Sequence, residues 1–66
     1  MKFGFNDLVL VRAGEFAKWY ATRYSHYDYD VNGHITQNGY LWYEGDIIPY
    51  EGNEHLLGTT DKYILQ

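Results

Sequence analysis

Four apolar residues in a row, Leu8-Val9-Leu10-Val11, stand between Asn6-Asp7 and Ala13-Gly14-Glu15. A short β-branched run bounded by turn formers predicts a strand, reaching Arg12, that is buried on both faces. From Lys18 to Tyr24 the pattern changes to alternation. Trp19, Ala21 and Arg23 fall on one side and Lys18, Tyr20, Thr22 and Tyr24 on the other, the period of a pleated strand. A helix over 14–24 is the competing reading. Its Trp, Tyr, Thr and Tyr favour the strand and leave Glu15-Phe16-Ala17-Lys18 as one turn of helix at most.

The next punctuation is Asn32-Gly33, the strongest short hairpin signal, because both positions tolerate positive φ. Asn38-Gly39 follows within six residues, so a short strand from His34 to Gln37 is expected between the two turns. Tyr40 to Tyr43 resumes as a strand, Glu44-Gly45 marks a kink or bulge, and Asp46-Ile47-Ile48 continues. Pro49 lacks a ladder donor and so ends that strand or places it at an edge. Glu51-Gly52-Asn53-Glu54 reads as another turn, after which His55-Leu56-Leu57 and Lys62-Tyr63-Ile64-Leu65 are each expected to pair.

Five or six short strands joined by tight turns describe a strongly curved sheet, and the economical closure is a small SH3-like or OB-like barrel that hides its edges. No repeat, linker or charge block divides the chain, so residues 1–66 read as a single all-β domain. At 66 residues without cysteine, the domain has neither a disulfide staple nor a large core. Aromatic packing and self-association are the remaining ways to stabilise it.

Charge narrows the partners. A formal net charge of −4 gives no positive field for a phosphate polyanion, so nucleic acid is disfavoured as a partner. Arg12, Lys18 and Arg23 are close enough in sequence to form a local exception. No segment has the length of a membrane span, and the start of the chain carries no leader-like apolar run, so a cytoplasmic location is expected.

Candidate chemistry is sparse. His26, His34 and His55 lack the tight ligand spacing of a metal site, and neither a metal nor another cofactor is expected. Asp28-Tyr29-Asp30-Val31-Asn32-Gly33 opens like a calcium loop, but position twelve would be Gly39 instead of a glutamate, so an acidic hairpin is the ordinary account. Ser25 adjoins His26, yet neighbours on a regular strand point to opposite faces and cannot share a proton. With no dry cleft expected for acid–base work, the chain reads as a non-enzyme.

The distinctive feature is its rings. Eight tyrosines, three phenylalanines and two tryptophans exceed what so short a chain can bury, so several rings, chosen from among Tyr24, Tyr27, Tyr29, Tyr43 and Tyr50, are expected at the surface. Exposed rings beside Arg12 or Arg23 suit a recognition face or a subunit interface.

Asp7-Leu8-Val9-Leu10-Val11-Arg12, Trp19, Tyr24-Ser25-His26-Tyr27 and the segment Ile48-Pro49-Tyr50-Glu51-Gly52-Asn53-Glu54-His55-Leu56-Leu57-Gly58-Thr59-Thr60 resemble a set of short, mostly uncharacterised phage and prophage proteins of gut bacteria. The resemblance leaves out Asp28 to Gln37. It implies a small SH3-like domain made by a phage and acting in the host cytoplasm, and it brings no active site with it. Phage proteins of this size often counter a host defence. Two binding routes follow, both for a homo-oligomer. In the first, a nucleotide second messenger is sequestered by Arg12, Arg23, Tyr24, His26, Tyr27, Trp42, Thr59 and Thr60, with bases on the rings and phosphates on the arginines and the Gly58-Thr59-Thr60 turn. In the second, Tyr29, Tyr43 and Tyr50 with Asp28, Asp30, Glu44, Glu51 and Glu54 form an acidic face that imitates phosphate and blocks a host defence or nucleic-acid-binding protein.

Overall fold

The computed structural model describes residues 3–61 and shows an all-β chain. Five antiparallel strands form one sheet: β1 Leu8–Val11, β2 Tyr20–Asp28, β3 Gly33–Thr36, β4 Leu41–Trp42 and β5 Ile47–Pro49, in the order β4-β3-β2-β1-β5. A 3-10 turn, Glu54–Leu56, follows β5.

The apolar run is the inner strand, as its pattern predicts. β1 is laddered on both sides, Leu10 facing Ala21 of β2 and Ile48 of β5, and Val9, Leu10 and Val11 are buried. Alternation sends Val9 and Val11 to one face, where they pack with Tyr24 and Ile47 while Phe3 and Trp42 close the rim. Pro49 sits on edge strand β5, where its missing N–H breaks no ladder. Of the expected face of Trp19, Ala21 and Arg23, β2 carries Ala21 and Arg23, with Thr22 and Tyr24 turned the other way. Trp19 precedes β2, makes an isolated bridge to Leu57 and buries its ring, whereas Ala21 and Arg23 are exposed.

Both expected hairpins form, with different turn chemistry. Asp28 pairs with Gly33, so the first loop spans residues 29–32, with Asn32 alone at positive φ (53°) and the Asp28 carboxylate accepting from the Asp30 N–H. Gly33 already lies in β3, and it is glycine for space: an added Cβ would lie 2.3 Å from Leu41 Cδ1 and 3.3 Å from the Trp42 carbonyl. The second loop is residues 37–39, where Gly39 at φ 90° donates to Thr36 and Thr36 donates to Tyr40, a type I turn closed by a left-handed glycine.

The expected closed SH3-like or OB-like barrel is not made, because no ladder joins edge strands β4 and β5 among the described residues. The sheet is nonetheless rolled. In a flat sheet these outer strands would lie about 19 Å apart at the usual strand spacing. The five residue steps from Trp42 to Ile47 reach about 18 Å even if fully extended, and Asp46 folds back to donate to Tyr43. A rolled sheet with an unzipped seam results. One further expectation differs: residues 55–57 contribute to the 3-10 turn and the Leu57 bridge instead of a strand. The expected pairing segment Lys62–Leu65 lies outside the described residues.

Candidate functional site

The seam is where the molecule is concave. A groove of about 430 Å³ is lined by Arg12, Ala13 and Gly14 at the end of β1, by the segment Tyr40–Tyr43 and by Asp46. Tyr40 and Trp42 lie two residues apart, which puts them on the same face with ring centroids 6.1 Å apart. Tyr40 and Tyr43 are 63% and 56% exposed, while Trp42 is half-buried against the core. Its indole N–H donates to Thr36 Oγ1 at 2.8 Å, so Trp42 offers the groove a ring face and no free donor.

Arg12 forms one wall, and each of its three guanidinium nitrogens donates to its own protein. Nε donates to Asp46 at 3.2 Å and Nη1 to Asp61 at 2.9 Å, with longer bonds to the Glu15 and Gly45 carbonyls. Its guanidinium also lies 4.4 Å above the Trp19 ring. Burial would lower the Arg12 pKa, but the bonds from Asp61 and Asp46 carry it above the ordinary arginine value. Two carboxylates against one guanidinium leave this corner with a net negative charge. These partners stand 34 and 49 residues from Arg12 in sequence, too far for any local pattern to announce them.

Across the core lies a polar relay, buried at Tyr24 and His34 and open to solvent at Glu44. Tyr24 Oη meets His34 Nδ1 at 2.8 Å, and His34 Nε2 meets Glu44 Oε1. A carboxylate only accepts, so Nε2–H donates to Glu44, and in the neutral ring Nδ1 is left to accept the Tyr24 hydroxyl. The bond from His34 holds Glu44 below the ordinary carboxylate range. Burial, then the charge of Glu44, pushes the Tyr24 phenol up. Phe3 and Tyr27 pack edge-on against the imidazole, at 5.5 and 5.0 Å.

The residues of the nucleotide route are therefore scattered. Arg12 and Trp42 line the groove. Tyr24, one of the candidate surface rings, is instead 3% exposed and holds His34, while half-buried Tyr27 packs edge-on against His34 and Tyr29. Arg23 is exposed and donates to the Asn6 carbonyl. Thr59 and Thr60 donate their hydroxyls to Leu56 and Phe16, and the Gly58 and Thr59 N–H groups are bound to Trp19 and Leu56. His26 is exposed, and here the structure corrects the sequence reading. A bulge between Tyr24 and His26 inserts Ser25 as an extra residue, turning it toward its neighbour, and Ser25 Oγ reaches His26 Nδ1 at 2.8 Å. Among the described residues no third group orients that pair, and no cluster of three His, Asp or Glu side chains gathers.

The residues of the acidic route fall in three places. Asp28, Tyr29 and Asp30 occupy the first hairpin, Tyr43 and Glu44 border the groove, and Tyr50, Glu51 and Glu54 follow β5. Tyr29 and Tyr43 are exposed with Asp30, Glu44, Glu51 and Glu54, whereas Asp28 and Tyr50 are half-buried. Tyr40 was missed as a site residue, although its spacing from Trp42 signals a shared face.

Comparison of the chain with protein-family models, curated proteins and solved structures finds no match. No helix among the described residues is long and apolar enough to cross a membrane.

Proposed function

We propose that the chain is a non-catalytic binding protein of phage type that counters a bacterial defence by docking its acidic, ring-bearing surface onto a host protein. The observation that carries the docking route over nucleotide capture is the state of Arg12. Among the described residues that line the groove, Arg12 is the one cation, and Asp46 and Asp61 neutralise it, so a phosphate would find no unpaired positive charge there. Phe5, Phe16, Tyr20, Tyr29, Tyr40 and Tyr43 are each more than half exposed, the composition of interface hot spots at a net charge of −4. The phage origin and the counter-defence role rest on the resemblance of the β1 and Ile48–Thr60 segments. Self-association through Phe5 and Phe16 belongs to the same reading, and sedimentation above the monomer mass would support it.

The test is phage plating on hosts that carry defined defence systems, with the chain supplied in trans. Plating is expected to recover on one such host, and the exposed-residue variant Tyr40→Ala/Tyr43→Ala, verified as folded by circular dichroism, is expected to abolish recovery. A folded variant that protects as well as the parent would overturn the role of the groove.

A further inference from the structure

We infer that the groove receives an arginine side chain from the docked host protein, an inference that rests on the protein-docking reading above. Three observations converge on a flat cation. First, the groove presents ring faces. Tyr40 and Trp42 stand 6.1 Å apart, and because the Trp42 N–H is held by Thr36, what remains for a ligand is the negative face of the indole. Second, the surrounding charge is of the opposite sign. Arg12 is outweighed by Asp46 and Asp61, Glu15 follows Gly14 on the wall, and exposed Glu44 follows Tyr43. Asp46 engages Arg12 through Oδ1, and its Oδ2 has no hydrogen-bond partner among the described residues. Third, the molecule already makes this contact once: Arg12 itself lies 4.4 Å over Trp19 while its N–H groups reach carboxylates.

A guanidinium fits these elements better than an ammonium. Its plane stacks on a ring while its edge donates to a carboxylate, and it gives up less hydration on entering a groove. A neutral apolar segment would use the rings but leave the second oxygen of Asp46 unused and the net negative charge of the corner uncompensated. A phosphate would meet the negative side of both.

The experiment uses the intact chain and two small probes of matched shape, Nα-acetyl-arginine methylamide and its uncharged citrulline counterpart, followed by 1H–15N correlation spectra. The arginine probe is expected to shift the Trp42 indole signal and the Tyr40 and Tyr43 amides saturably in the millimolar range, about tenfold more tightly than citrulline. Raising salt to about 0.5 M is expected to weaken it several-fold, and Tyr40→Ala/Tyr43→Ala to remove the response. Equal shifts from both probes would overturn the inference. So would shifts confined to the acidic loops at Asp28–Asp30 and Glu51–Glu54, or no saturable shift at all up to about 50 mM. If the probe fails while plating still depends on Tyr40 and Tyr43, the cation is wrong and the docking reading stands. Should the probe bind while the groove variant leaves plating unchanged, the docking reading fails on its own.

Discussion

Replacing Tyr24 by Phe removes one oxygen and little else, which makes it a clean probe of the relay's buried end. The phenyl ring can keep its packing against Phe3 and His34, at 5.1 and 5.6 Å, so no cavity larger than a hydroxyl opens. What is lost is the donor at 2.8 Å from His34 Nδ1, on a ring whose side chain is 4% exposed and out of reach of water. An orphaned buried polar atom costs about 1–3 kcal/mol. A domain of this size has a total stability of roughly 3–10 kcal/mol. At about 4–8 °C per kcal/mol for a chain of this length, Tyr24→Phe is expected to melt roughly 4–24 °C below the parent. A double-mutant cycle with His34→Ala should give a coupling of about 0.5–3 kcal/mol, since His34→Ala removes the acceptor that Tyr24→Phe strands. Nitrogen-15 spectra of the parent at neutral pH should place the His34 proton on Nε2. A variant that melts within about 1 °C of the parent, or an Nδ1–H tautomer, would refute the relay.

Gly33→Ala drives a methyl into Leu41 and toward the Trp42 backbone, and a cost of about 1–3 kcal/mol in urea unfolding is expected, with Leu41→Ala recovering part of it. Arg12→Ala leaves Asp46 and Asp61 facing each other without their cation and should lower stability by roughly 2–3 kcal/mol, measured by thermal melting, with Arg12→Lys intermediate because it cannot hold both carboxylates. The pH profile has a defined sign at each end. Glu44 titrates lower folded than its ordinary 4.5, so the unfolded chain binds the extra proton in that window, and Glu44's contribution is present above 4.5 and lost as pH falls through the folded value. Glu44→Gln should flatten that acid limb. Tyr24 titrates higher folded than its ordinary 10.0, so its contribution is intact below pH 10 and lost as pH rises through the folded value, and Tyr24→Phe should remove that alkaline limb.

Local pattern carried the strands and turns well. Leu8–Val11 is an inner strand because an unbroken apolar run leaves no polar face for solvent, and Pro49 marks an edge because its backbone forbids a second ladder. Patterning failed where tertiary contact decides. The Asn32-Gly33 pair reads as a two-residue turn, yet Gly33 answers to the bulk of Leu41, a neighbour that appears only when β4 pairs with β3. A surplus of rings says that some tyrosines lie outside without saying which, and alternation assigns Tyr24 a side without saying which side is inside; His34, across the hairpin, makes that side the core. Barrel closure was inferred from strand count, but β4 spans two residues and β5 three, too short to zip the seam. Of the candidate site, Trp42 and the exposed Tyr43 were legible. The neutralisation of Arg12 was not, because its two carboxylates come from distant loops.

That neutralisation is what separates a protein-docking surface from a nucleotide sponge, and a melting-shift titration with a panel of cyclic dinucleotides and cyclic ADP-ribose isomers tests it most directly. A ligand at a hundred times its Kd adds about 2.7 kcal/mol to the folded state. In a chain this short, that would raise the melting temperature by roughly 10–20 °C. With Arg12 locked to Asp46 and Asp61, every nucleotide is expected to leave the melting temperature where it was. A rise of that size with any one of them would contradict the account.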